Sequence, residues 1–341
     1  MKTIFGRKSA YSPLAGILLG CALTLTSCSG DPGSIPVSSG SPASETPSPS
    51  TSASQGSLKP TASTVSDEKG TRDNTPVVLE TEAPGDKVTS NDAAIIDYSN
   101  ASEGYICVSY IGSVSKVKLR ITGSDEVTYT YDLHGNGYEA FPLTSGSGQY
   151  DVTVYENIEG TSYSTCLHET VSADITNEFG PFLYPSQYVN FSATSKTVSK
   201  GAELVKPANT DLEAVTLIYD YITSNITYDY DKASDPPTGY TTDVDQILAS
   251  GTGICLDYSA VMCSMLRSQR IPTRLEVGYA QDAYHAWISV YIEDVGWLND
   301  IIQFNGETWT LVDPTFGANT SNTVLKKFIG DGTNYQLQKI Y

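Results

Sequence analysis

Three residues have the types and the order of a cysteine-dependent acyl-transfer site: Cys255, His285 thirty positions on, and Asp313 twenty-eight beyond that. In such a site a thiolate attacks a carbonyl carbon and an imidazole takes and returns the proton. A carboxylate then fixes the imidazole tautomer and supports its charged form. The chain holds three histidines in all, His134, His168 and His285, so a base for any thiol comes from a short list.

The segments around these residues read as elements able to hold them still. In "GTGICLDYSAVMC", residues 251–263, Cys255 follows two glycines and opens a helical pattern. Tyr258, Val261, Met262, Met265 and Leu266 form its apolar stripe, and Pro272 marks its end. The free N–H groups and dipole of a first turn favour an anion there, which predicts a lowered thiol pKa. Asp257, in the same turn, works against that. Cys263 lies inside the same helix and reads as a small buried hydrophobe. "YHAWISVYI" alternates as a strand, with Ala286, Ile288, Val290 and Ile292 on one face and His285, Trp287, Ser289 and Tyr291 on the other. "ETWTLVDPTFG" predicts a further strand reached through an Asn305–Gly306 hairpin turn. Trp309, Leu311 and Asp313 share a face of it, and Pro314 stops it. Upstream, "DLEAVTLIYDYITSNITYDYD", residues 211–231, carries a helical pattern through Leu212, Val215, Ile218, Tyr219 and Ile222. Each residue of the trio also has a bland reading alone: His285 as the cap of an aromatic cluster, Asp313 as the turn residue of an Asp-Pro step. Their order and supporting elements together favour the chemical reading.

"GTGICLDYS", "YHAWISV" and "WTLVDPTFG" resemble, in order and spacing, the three motifs of the transglutaminase-like superfamily, and "RSQRIPTRLEVGYA" is similar to that family's link from helix to first core strand. The resemblance covers about residues 205–317. It implies an α+β fold with a papain-like transglutaminase core, Cys255 as nucleophile, His285 as general base and acid, and Asp313 as orienter. It also implies an amide substrate and an acyl-enzyme. Water as acceptor makes a peptidase or amidase, and a lysine amine makes a crosslinking transglutaminase. Hydrolysis is the favoured reading, since bacterial members are commonly regarded as hydrolases and the chain lacks the extra domains and calcium loops of animal crosslinkers. A surface binding protein that keeps the triad only as scaffold is the third reading. The oxyanion-hole side chain is open: no tryptophan precedes Cys255, and Tyr228 or Tyr230 is the candidate donor beside the Cys255 N–H. The long link "YIEDVGWLNDIIQFNGETW" predicts an added strand or flap beside the cleft.

The rest of the chain reads as delivery and support. Residues 1–27 combine Lys2, Arg7 and Lys8 with the apolar run "LAGILLGCALTL", the build of a secretory leader too short for a membrane span. "LTSC", ending at Cys28, resembles a bacterial lipobox, which implies a lipidated Cys28 and anchorage to the outer face of the bacterial cell membrane. Residues 28–92 are rich in Ser, Thr and Pro and read as a disordered tether. A coil of roughly 60 residues spans about 40–45 Å. Residues 93–177 alternate in short runs, such as "KVKLRIT" and "VTYTYDL", parted by Gly, Ser and Asn. That predicts a small Ig-like all-β sandwich, with the transglutaminase-like domain over 178–341. Cys166 and His168 share a strand face there without a helix start or a third group. Cys107 and Cys166 are candidates for an inter-strand disulfide or a pair of buried thiols, both of which export permits.

The balance of 20 basic against 39 acidic residues, a net charge of −19, repels nucleic acid and anionic lipid head groups alike. Paired histidines, close cysteine pairs and a twelve-residue calcium loop are all missing from the sequence, so no metal or cofactor is expected. The expected partner is a peptide or protein substrate, associated with the cell surface or wall.

Overall fold

Alternation and periodicity translate into strands first and helices after them. The computed structural model of the protein describes residues 68–135, 137–280, 283–293, 295–298, 302–304, 309–311 and 335–341. Eight strands come first: β1 Val88–Ser90, β2 Ala94–Asp97, β3 Tyr105–Tyr110, β4 Val117–Thr122, β5 Thr128–Leu133, β6 Tyr138–Pro142, β7 Gly148–Glu159 and β8 Ser162–Ala173. They form two antiparallel four-stranded sheets, ordered β1-β2-β3-β6 and β5-β4-β7-β8. The predicted alternation of "KVKLRIT" is realised in β4, where Val117, Leu119 and Ile121 are buried and Lys118, Arg120 and Thr122 are not. Ile96, Ile106, Val108, Phe141, Val152 and Val154 complete the core between the sheets.

Helices follow: α1 Lys196–Leu204, α2 Asp211–Asn225, α3 Tyr230–Ser234, α4 Val244–Ser250 and α5 Cys255–Ser268. The helical pattern read through Leu212 to Ile222 forms α2, which stops at Asn225. Beyond it, Thr227–Tyr228 (β9) pairs in parallel with Thr252–Gly253 (β10), so a long-range ladder takes over from local helix propensity. α5 is covered nearly all round, with every residue from Asp257 to Ser268 buried. It packs on α1, α2 and α4 and on the aliphatic face of a third antiparallel sheet. That sheet runs in the order β13 (Gly296–Leu298), β12 (Ala283–Ile292), β11 (Thr273–Ala280) and β16 (Tyr335–Ile340). The long link therefore does add a strand, β13, and a hairpin follows it, β14 Ile302–Phe304 with β15 Trp309–Leu311.

Two features join the β-rich and helical parts, which belong to one compact unit, residues 62–341. Tyr341 packs its ring against Tyr129, Tyr131 and Tyr188 at 5.6, 6.0 and 4.3 Å between centroids. Beneath it, the buried Arg267 donates to the carbonyl oxygens of Tyr184, Thr273 and Tyr341. The second feature corrects the expectation that residues 28–92 are tether throughout. Residues 68–85 run as an extended strap: Gly70 and Arg72 N–H donate to Lys206 and Ala208 carbonyls, and Val77 N–H to Ser268. Arg72 pairs with Asp211 at 2.6 Å and donates to the Gln269 carbonyl. Further on, Glu82 N–H donates to the Tyr105 hydroxyl and Gly85 N–H to Asp97 Oδ2. Polar composition reads as coil, but a backbone that finds partners on both modules recovers the cost of ordering through hydrogen bonds and an ion pair.

Candidate active site

The sulfur of Cys255 sits where three elements meet. Gly251, at φ +62, ends α4 in the left-handed region, and its carbonyl accepts from Thr227 N–H. β10 then brings Gly253 opposite Tyr228 before α5 begins. Gly253 has no room for a side chain, because a Cβ there would lie 2.7 Å from the Cβ of Asp257. The two glycines before Cys255 thus set the helix entry rather than leave it loose.

Cys255 is half-buried and its sulfur is enclosed. It lies within hydrogen-bonding reach of the Ala286 and Leu256 backbone N–H groups and of the Tyr228 hydroxyl. Ala286 directly follows His285 on β12, so the helix start and the histidine strand converge at one point. The hydroxyl of Tyr228 also lies within reach of the Cys255 backbone N–H. Of the two tyrosines named from the sequence, Tyr228 is at the site and Tyr230 is an exposed ring packed on its edge at 5.0 Å.

His285 is buried, and its Nε2 has no hydrogen-bond partner among the described residues. Its ring stacks on Trp287, with 6.5 Å between centroids and 23° between planes. Trp287 is held in turn, since its Nε1 donates to Glu276 Oε2 at 2.7 Å and Ser289 Oγ donates to the same oxygen at 2.8 Å. The strand face predicted to carry His285, Trp287 and Ser289 does so, and all three are buried.

Electrostatics differ from the helix-start expectation. Burial raises the Cys255 thiol pKa above its ordinary value, outweighing the three donors at the sulfur, with a small further push from Asp257. Burial also lowers the His285 pKa to about 4. Burial thus favours a thiol at Cys255 and a neutral imidazole at His285 near neutral pH, and a local helix-terminus rule has lost to tertiary desolvation.

Asp257, read from the sequence only as a charge opposing the thiolate, is an anchor. Its carboxylate is 0% exposed and accepts four hydrogen bonds: from Ile254 N–H (2.9 Å), Lys232 Nζ (2.8 Å), the Tyr240 hydroxyl (2.7 Å) and Thr242 Oγ1 (2.8 Å). The excursion 229–243 is thereby tied to the first turn of α5, and the carboxylate charge is offset by a lysine. Lys232, Tyr240 and Thr242 gave no signal in the sequence, because they lie fifteen to twenty-five positions upstream in a stretch without periodicity.

The remaining candidates separate. Asp313 and Cys28 lie outside the described residues. Cys263 is fully buried, as expected for a packing residue. Cys107 and Cys166 are free thiols on strands of different sheets, so the inter-strand disulfide does not form. His168 shares a hydrogen bond with Thr153 Oγ1, and burial raises the Cys166 pKa, so these two make no thiolate–imidazole pair. Among the described residues no group of three or more His, Cys, Asp or Glu side chains could hold a metal ion.

Residues 199–299 match the family model of the transglutaminase-like superfamily. The uncharacterized protein YebA of Bacillus subtilis (strain 168) is 22% identical over 189 residues, 49% of this chain and 26% of YebA, so the chain spans about a quarter of that relative's length. Among solved structures, a candidate cysteine protease from Cytophaga hutchinsonii aligns over 75% of this chain and 73% of its own, at 15% identity and a TM-score of 0.33. A red sea bream transglutaminase aligns over 62% and 48%, at 15% identity and a TM-score of 0.23.

Proposed function

We propose that the transglutaminase-like core which this chain carries over residues 199–299 belongs to a cysteine-dependent hydrolase that cleaves peptide or isopeptide bonds through a thioester. One observation carries the reading: the Cys255 sulfur is within reach of the N–H that follows His285, so the helix start that carries the nucleophile meets the strand that carries the base. The chemistry follows from the resting state. A neutral imidazole is a competent base and a thiol is the form that gives up a proton. As a substrate carbonyl enters, His285 takes the thiol proton, the sulfur bonds to the carbonyl carbon, and the resulting oxyanion is stabilised by the Cys255 N–H and the Tyr228 hydroxyl. His285 returns the proton to the departing amine, and water repeats the sequence on the thioester. Asp313 is assigned the orienting role at the other imidazole nitrogen. Export through the leader and lipidation at Cys28 would place this chemistry at the outer face of the cell membrane, on surface or wall-associated peptides.

Turnover of a quenched peptide library tests the reading, with Cys255→Ala and His285→Ala as controls and Cys263→Ala as the silent one. Loss in the first two alone supports it. Release of amine without uptake of a labelled amine distinguishes hydrolysis from crosslinking. Turnover that survives Cys255→Ala sinks the proposal. For the anchor, Cys28→Ser moves the protein from the membrane fraction to the medium.

A further inference from the structure

At the far end of the His285 strand pair, an arginine carries an Nε without a hydrogen-bond acceptor among the described residues. Arg274 on β11 pairs with Ser289 on β12, four positions along each strand from the Gly278–His285 pair, about 13 Å at the strand rise. Its guanidinium lies over the Trp297 ring at 3.7 Å and the Phe182 ring at 4.8 Å. The Nε is buried and has no hydrogen-bond partner among the described residues, a costly state for a charged donor. The two rings stand at 86° to each other, so the guanidinium sits in the corner they make, and a fork held there is prepared for a planar, two-oxygen acceptor.

The same guanidinium lines a pocket of about 290 Å³ between the β6–β7 turn, the segment entering the helical part, and β11. Leu143, Ile175 and Pro181 supply apolar wall. Ser147 Oγ accepts from Ile175 N–H, which leaves its own O–H to donate into the space. Glu178 stands exposed at the margin, close enough for its charge to act on Arg274 but forming no ion pair with it.

We propose that this pocket binds the terminal carboxylate of a short aliphatic peptide, with Arg274 as the fork and Ser147 as a second donor. The buried Glu276, two residues along β11, also acts on Arg274 by its charge. A carboxylate in the pocket gives the unpartnered Nε an acceptor, and the apolar wall and the volume suit the one or two aliphatic residues behind it. Glu178 sets the affinity by opposing the anion. The site lies apart from Cys255 and stands or falls without it.

Calorimetric titration of the mature protein with alanyl-alanine, its C-terminal amide and acetate tests the assignment. The dipeptide binds, the amide and acetate bind at least tenfold more weakly, and Arg274→Gln weakens the dipeptide tenfold or more. Glu178→Gln tightens it severalfold. No binding of the dipeptide, equal binding of the amide, or acetate binding as tightly as the dipeptide would each overturn the proposal. So would a folded Arg274→Gln variant with unchanged affinity. Should that variant fail to fold, Glu178→Gln decides, because an unchanged affinity there refutes a carboxylate ligand.

Discussion

Lys232→Met tests whether the excursion 229–243 is fastened to the start of α5 by charge. Of the four donors to the Asp257 carboxylate, Lys232 alone carries a charge, and its side chain is 22% exposed while Asp257 is sealed. Removing one partner of a buried ion pair costs about 3–5 kcal/mol. Here the pair is open to water on the lysine side and three neutral donors remain, which brings the expected loss down to about 2–3 kcal/mol. Urea unfolding followed by tryptophan fluorescence reads it as a lower midpoint at unchanged slope. A second effect follows from position. An uncompensated carboxylate two residues from Cys255 disfavours the thiolate and moves the pH midpoint of its alkylation up by about one unit. In a cycle with Asp257→Asn, the lysine substitution should become nearly silent once the carboxylate is neutral. A loss below about 1 kcal/mol together with an unmoved alkylation midpoint would refute the reasoning, since the lysine would then be a surface residue in all but distance.

Three further outcomes are expected. The His285 pKa is lowered to about 4, so the unfolded chain binds a proton that the native one excludes between about pH 6.5 and 4. Stability attached to this group is present above about pH 6.5 and falls by up to about 3 kcal/mol as pH drops to 4, so a His285→Gln variant should show a flatter acid limb in pH-dependent unfolding. Tyr228→Phe should reduce kcat by about 10²-fold with little change in KM if the hydroxyl serves the oxyanion, whereas a packing role would leave kcat alone. Arg267→Met should destabilise by about 2–4 kcal/mol, measured by urea unfolding, because it strands the buried carbonyls of Tyr184, Thr273 and Tyr341; a loss within 0.5 kcal/mol would show that water replaces the guanidinium.

Much of the fold was legible because its signals are periodic. The alternation of β4 and the stripe of α5 are written in neighbouring residues and appear where the pattern places them. The strand expected after Asn305–Gly306 forms as β15, but Phe304 pairs with Trp309 rather than with residue 307, and the turn itself lies outside the described residues. The meeting of Cys255 with the His285 strand follows from two such elements and needed only their packing. What escaped was non-local. The end of α2 at Asn225 depends on a ladder with residues 252–253. The partners of Asp257 depend on an excursion folding back. The thiol pKa depends on burial, which no window of sequence around Cys255 contains. The strap over 68–85 escaped for the same reason, as its composition is that of the tether before it.

That strap also bears on the order of events when the chain is made. Arg72 and Thr71 leave the ribosome early, yet the groups they bond, Asn209, Asp211 and Gln269, lie 138 to 197 positions later. Contacts so distant in sequence are slow to form and cannot close until α2 and the C-terminal end of α5 exist. The strap therefore seats only after those two helices are in place, and its seating covers the C-terminal end of α5. A protease added during refolding should cut within 68–85 long after the sandwich has become resistant.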